Sequence, residues 1–215
     1  MNTKLVIREI SLFLLTAIPV IYLLINWSLL PEKMPTHFDF DGDPNGYGSK
    51  LVYVFLPLGV YLLMIVLPFI DPRKKNYELF SGTYFKLRVI LCVLFGAIDT
   101  LVIYNTLHGI EKMGLLMPII FYLLFTMLGN YMGTIRPNYF VGIKVPWTLN
   151  SDVVWIQTHK LAGKLWFWGG LVGIVSLFVI PKPEILMAII IGTLVIVPIV
   201  YSYFIYQRIA SLCCK

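Results

Sequence analysis

Residues 10–30 read ISLFLLTAIPVIYLLINWSLL, an apolar run with no charged side chain from end to end. About 20 residues of helix cross the hydrocarbon of a bilayer, so this stretch is long enough to span it. Pro31 and a charged loop follow it, not the small-residue pattern of a signal cleavage site, so it is expected to remain as a first membrane helix. Five more such runs follow, at about 51–70, 87–107, 115–133, 165–181 and 185–206. The composition agrees. Apolar residues make up 59% of the 215, charged residues 13%, and mean hydropathy is +0.83; soluble domains hold roughly 45–50% and about 25%. A compact water-soluble domain cannot hide that much apolar surface. The expected fold class is therefore all-α integral membrane protein, a bundle of about six transmembrane helices.

The polar intervals fall at about 31–50, 71–86, 108–114, 134–164 and 182–184, and their cations set an orientation. Numbering the intervals alternately places 13 of the 17 Lys and Arg on the side of the N-terminus, Arg73, Lys74, Lys75, Lys86 and Arg88 among them. The other side holds Lys33, Lys50, Lys112 and Lys182. Cations stay in the cytoplasm, so both termini are expected there. In a membrane chain this is also the better account of the +6 net charge than a nucleic-acid partner. Of three cysteines, Cys92 falls in an apolar run, while Cys213 and Cys214 read as reduced cytoplasmic thiols, with lipidation as the alternative. The chain divides at about residue 112. An N-terminal three-helix half, 1–112, carries an external loop at 31–50, and a second half, 113–215, carries a cytoplasmic loop at 134–164.

Both loops are richer than a connector requires. In the external one, Asp39, Asp41 and Asp43 alternate like the opening of a calcium loop. Pro44 and Lys50 stand where that motif needs Gly and Glu, so it fails as an EF-hand. Two readings stay open: a looser cation site from His37, Asp39 and Asp41, and a compact turn whose carboxylates cap backbone amides. In the cytoplasmic loop, Ser151 and Asp152 make a helix start, after which Trp155, Thr158, His159 and Ala162 share one face. Trp147, Trp155 and Trp166 suit a membrane interface, with Lys160 and Lys164 reaching toward headgroups. This segment reads either as an interfacial helix feeding the fifth span or as a dedicated binding surface.

The run Asn138…GIKVPWTL…Trp155…Thr158-His159-Lys160…Gly163 resembles the SdpI family, bacterial membrane proteins named for the sporulation-delaying-protein immunity system. The external Pro35-Thr36-His37-Phe38…Gly42…Pro44…Gly46 is similar to that family's N-terminal domain of unassigned function. The likeness covers residues from about 10 to 206. Departures are Lys144 where Arg is usual, Val145 where Thr is usual and Asn45 where Asp is usual. Lysine keeps the charge of arginine but not its planar fork. The resemblance implies a protein of the bacterial cytoplasmic membrane. It implies immunity to a secreted peptide toxin on the external face, and a DNA-binding repressor held on the cytoplasmic face. Asn138, Gly142, Ile143, Lys144, Pro146, Trp147, Thr148, Leu149, Trp155 and His159 would then form the cytoplasmic partner surface.

Asp99 is the acidic residue in the middle of an apolar run. A charge there costs roughly 2.5–3.5 kcal/mol on insertion scales, so the residue should face the bundle or carry a proton. It reads as an interhelical polar clasp with Asn105, Thr126 or Asn130, or as the working group of a small transporter or channel. No metalloprotease, nucleophile-elbow or phosphate-loop pattern occurs in the sequence, so neither an enzyme nor a cofactor is expected. His37, His108 and His159 are its three histidines, and the expected topology places His159 opposite the other two.

Overall fold

The computed structural model describes residues 3–39, 42–110, 113–180 and 183–213. The chain order is α1 (Thr3–Ile25), β1 (Lys33–Phe38), β2 (Pro44–Ser49), α2 (Val52–Ile70), α3 (Asn76–Leu79), α4 (Ser81–Leu107), α5 (Leu116–Met132), α6 (Pro146–Asn150), α7 (Asp152–Val179) and α8 (Glu184–Cys213). All six apolar runs become helices. Among the described residues, five of these helices are long and apolar enough to cross a bilayer, and α5, with 17 residues, is shorter. The burial pattern is that of a lipid-solvated protein. In α8 the most apolar window of all is only 17% buried, and its Ile185, Ile196 and Phe204 face outward. A water-soluble fold would bury its most apolar helix deepest.

The boundaries differ from the expected ones in instructive places. α1 begins at Thr3 rather than near residue 10, because the charged turn before the apolar run is helical too. There Glu9 takes both ends of a bidentate pair from Arg88 of α4, each bond 2.7 Å. The fifth span begins at Asp152 rather than 165, so the interfacial segment and the span are one continuous helix. Ser151 starts it as the pattern predicts, its hydroxyl accepting from the Val154 amide. The external loop is not a bare turn but an antiparallel hairpin of β1 and β2, with register shifts on either side of His37. The turns expected at Glu111-Lys112 and Pro181-Lys182 lie outside the described residues, as do Cys214 and Lys215.

The chain folds into two compact units. The first runs up to Val66 and adds Arg88–Ile120; the second is Leu67–Leu87 with the chain from Phe121 onward. In the first, Leu23, Leu30, Met34, Tyr53, Val102, Ile103 and Met113 form a buried cluster beneath the hairpin. Lys50, read from sequence as a loop cation, has a 3% exposed side chain. Its ammonium donates to the carbonyls of Trp27 and Leu30, pairs with Glu32 at 2.9 Å and lies 4.2 Å from the Trp27 ring centre. The Tyr53 hydroxyl donates to the Pro35 carbonyl, and the Met113 amide donates to the carbonyl of Gly42 at 2.9 Å. Base and tip of the hairpin are thereby fixed.

In the second unit α5 and α7 meet through glycines. A Cβ on Gly129 would stand 2.4 Å from the Phe167 nitrogen, and one on Gly170 would stand 2.2 Å from the Thr126 hydroxyl oxygen. Lipid tails are as apolar as leucine, so helices in a bilayer associate by such close backbone packing rather than by a hydrophobic drive. α8 joins through Trp166, whose indole donates to the Leu194 carbonyl at 2.8 Å.

Candidate functional site

The segment between α5 and α7 has little regular structure, and its backbone amides still find acceptors. A buried N–H without a partner costs about 1–3 kcal/mol, so a loop packed this deep must supply them. Side chains do so here. Asn138 is fully buried; its carbonyl oxygen accepts from the amides of Phe140 (2.9 Å) and Val141 (2.6 Å), and its NH2 donates to the carbonyls of Arg136 and Val141. The Tyr139 amide donates to Asp71 at 2.9 Å, the Ile143 amide to Nε2 of His159 at 3.0 Å and the Val145 amide to the Thr148 hydroxyl at 3.0 Å. Pro146, first residue of α6, brings a preset φ and no amide to satisfy.

His159 is fully buried, and its geometry fixes the tautomer. Nε2 accepts from an amide while Nδ1 lies 2.8 Å from the Trp155 carbonyl, so the proton sits on Nδ1. The ring stacks on Trp155 at 4.1 Å between centres and 18° between planes. Gly142 passes against it with φ +120°, and a Cβ there would stand 2.4 Å from Nε2. Only glycine meets both demands. Trp155, Thr158, His159 and Ala162 share one face of α7, all fully buried. The interfacial position expected for Trp155 is therefore corrected: its indole donates inward to the Ile135 carbonyl at 2.9 Å. Trp147 reaches α8, donating to the Ser202 hydroxyl at 2.6 Å.

The residues that complete this node come from the short linker after α2, whose most conspicuous residues in the sequence are its cations. Asp71, 2% exposed, accepts from the amides of Arg73 and Tyr139 and from the Tyr77 hydroxyl. Burial, and then the neighbouring Asp71 charge, hold the Tyr77 phenol well above its ordinary pKa, so it stays a donor, shared between Asp71 and Asn138. Arg73 donates to the Leu149 carbonyl at 2.7 Å and pairs with Asp152 at 3.2 Å. An aspartate directly before a proline at the end of an apolar run was the local signal for a helix stop; its partners lie too far along the chain to leave one. Of the motif residues, Lys144 and Pro146 are exposed, and Gly142, Ile143, Trp147 and Leu149 are half-buried. Beside them Tyr139 is 42% exposed. A partner would touch these, not the buried Asn138, Thr148, Trp155 and His159.

In the hairpin, Asp39 caps the Asp43 amide at 2.9 Å, and Nδ1 of His37 pairs with the Asn45 side chain. Phe38 packs on the buried cluster, and the Gly46 backbone lies under His37, where a Cβ would approach the His37 Cβ to 2.9 Å. Asp41 lies outside the described residues. Among the described residues, no three His, Cys, Asp or Glu side chains gather as a metal site requires. Asp99 is fully buried, and neither carboxylate oxygen meets a donor among the described residues. The side chains considered for a clasp have other surroundings. The Asn105 amide lies on the Met113 sulfur at 3.3 Å, Thr126 donates to the Tyr122 carbonyl, and Asn130 is exposed.

Residues 134–202 match the SdpI/YfhL protein family model, and residues 14–60 match a domain of unknown function, DUF1648. Immunity protein SdpI of Bacillus subtilis (strain 168) is 24% identical over 191 residues, 86% of this chain and 89% of that protein. No solved structure gives a significant match. The resemblance carried by the loop motif is borne out, and the chain is a multi-pass bacterial membrane protein.

Proposed function

We propose that this membrane protein, similar over most of its length to SdpI, confers immunity to a secreted peptide toxin. Both termini lie in the cytoplasm, the hairpin faces outward to the toxin, and the loop 134–164 faces inward, where Tyr139, Lys144 and Pro146 receive a DNA-binding repressor. The N-terminal half, 1–112, and the SdpI-like half, 113–215, divide those tasks. The observation that carries this reading is the caging of the motif loop: Asn138, His159 and Thr148 satisfy its amides so fully that its outer residues are held in one arrangement. Cells lacking the gene should be killed by the cognate toxin and rescued by its expression; equal survival with and without the gene would sink the immunity reading. A fluorescent repressor should gather at the membrane when toxin is added and stay diffuse with Lys144→Glu. Cysteines placed at Tyr47 and Lys144 test the orientation, since an impermeant maleimide should label only the first in whole cells.

A second reading, a small transporter or channel, is favoured by Asp99, whose buried carboxyl group meets no donor among the described residues. Asp99→Asn in vesicles should abolish any proton-dependent flux if this is right, and leave it intact if Asp99 only packs.

A further inference from the structure

Two linkers of the second unit form a single surface. α2 ends at Ile70, with Lys74 and Lys75 just beyond it; α5 ends at Met132, with Arg136 just beyond. Three hydrogen bonds fasten one linker to the other, and a fourth ties the second linker to the start of α4. Tyr139 donates to Asp71, Tyr77 meets Asn138, the Asn76 amide donates to the Pro137 carbonyl at 2.7 Å, and the Thr83 and Thr134 hydroxyls lie 3.0 Å apart. Lys75 and Arg136 are the chain neighbours of Asn76 and Pro137, so that bond brings the two stretches of backbone that carry them together. Lys74, Lys75 and Arg136 are all exposed, and among the described residues none has a carboxylate within ion-pair distance. Arg73, which does, is taken by Asp152.

Their depth says what they face. All three cations follow the end of a long apolar helix or of the shorter apolar α5 within about five residues, which is headgroup level rather than open solution. Leu79, 70% exposed, lies in the same linker as Lys74 and Lys75 and gives it apolar surface to set into that layer. The 17 residues of α5 make about 25 Å of helix, short of the roughly 30 Å hydrocarbon, a mismatch that a long cationic side chain at its end offsets by reaching out to the headgroups. We infer that this surface binds the phosphodiester headgroup of an anionic phospholipid, with Lys74, Lys75 and Arg136 as its cationic contacts. An acidic protein segment would meet the same charges, but would have to reach them through the headgroup layer.

The test uses the intact protein in phosphatidylcholine vesicles, with spin-labelled phosphatidylglycerol as probe and spin-labelled phosphatidylcholine as reference. The immobilised fraction should favour phosphatidylglycerol, fade at high salt, and lose about fivefold in relative affinity per cation removed along the series K74Q, K75Q, R136Q. The variant K33Q, which removes an exposed cation of the hairpin, should leave the preference in place. The three cations are exposed, so the triple variant should unfold at the native temperature, which separates a lost site from a lost fold. Equal immobilisation of both lipids by the native protein overturns the site. So does a preference that survives in the triple variant, or one that falls equally with K33Q. Binding of a polyglutamate peptide through the same three side chains, with no lipid preference, also overturns it and makes the surface a protein site.

Discussion

The hairpin loop and the motif loop are both short connections between membrane helices, yet they are held by opposite means. In the hairpin, backbone pairs with backbone from Lys33–Ser49 to Phe38–Pro44, and side chains such as Tyr47 point outward. In the motif loop, backbone amides are taken by Asn138, Asp71, His159 and Thr148, whose side chains are buried to do it. A loop that satisfies itself leaves its side chains free to vary with a partner. A loop satisfied by side chains spends its most distinctive residues on shape, so the residues that stand out in its sequence are not those a partner reaches.

That contrast can be broken at single residues. Gly142→Ala should do most, because it combines a forbidden backbone angle with a clash against His159. A loss of about 3 kcal/mol or more is expected, visible as a lower unfolding temperature in detergent. Asn138→Ala removes acceptors from two amides and donors from two carbonyls, and about 2–4 kcal/mol should go with them. Faster cutting of the loop by added protease would report the change. His159→Phe keeps the stacking plane but orphans the Ile143 amide, at a cost of about 1–3 kcal/mol; a thermal shift smaller than that of Tyr47→Ser would contradict the account of the cage. Tyr47→Ser in the hairpin should stay within about 0.5 kcal/mol of the native protein, while any effect on toxin survival is read separately. If the hairpin substitution destabilises as much as those in the motif loop, the distinction between the two loops fails.

Helices were the most legible part of the sequence, since length and hydropathy define a span without reference to its neighbours. The Ser151 cap and the buried face of α7 were legible for the same reason, being written in local spacing. The hairpin was not. KMPTHF and PNGYGS lack the alternation of a half-buried strand, and their pairing rests on Gly46 and Gly48, which let His37 and Thr36 close over them. Asp71 and Tyr77 were missed because a contact from one interhelical linker to another leaves no local pattern. Trp155 misled by type: tryptophan favours interfaces on average, but the Ile135 carbonyl gives its indole a partner inside. Lys50 misled likewise, counted as a loop charge and found under the hairpin with its ammonium fully engaged.

The glycine contact between α5 and α7 bears on how the second unit comes together. Gly129 and Gly163 touch across a long stretch of intervening chain, and their contact is worth something only when the two backbones are almost in register. Closing a long flexible tether costs entropy before any contact repays it. A loop already folded on Asn138 and His159 is a short, stiff hinge instead, and it delivers α7 to α5 aligned. The same side chains that shape the loop therefore act earlier, as the step that lets two helices already in the bilayer find each other quickly.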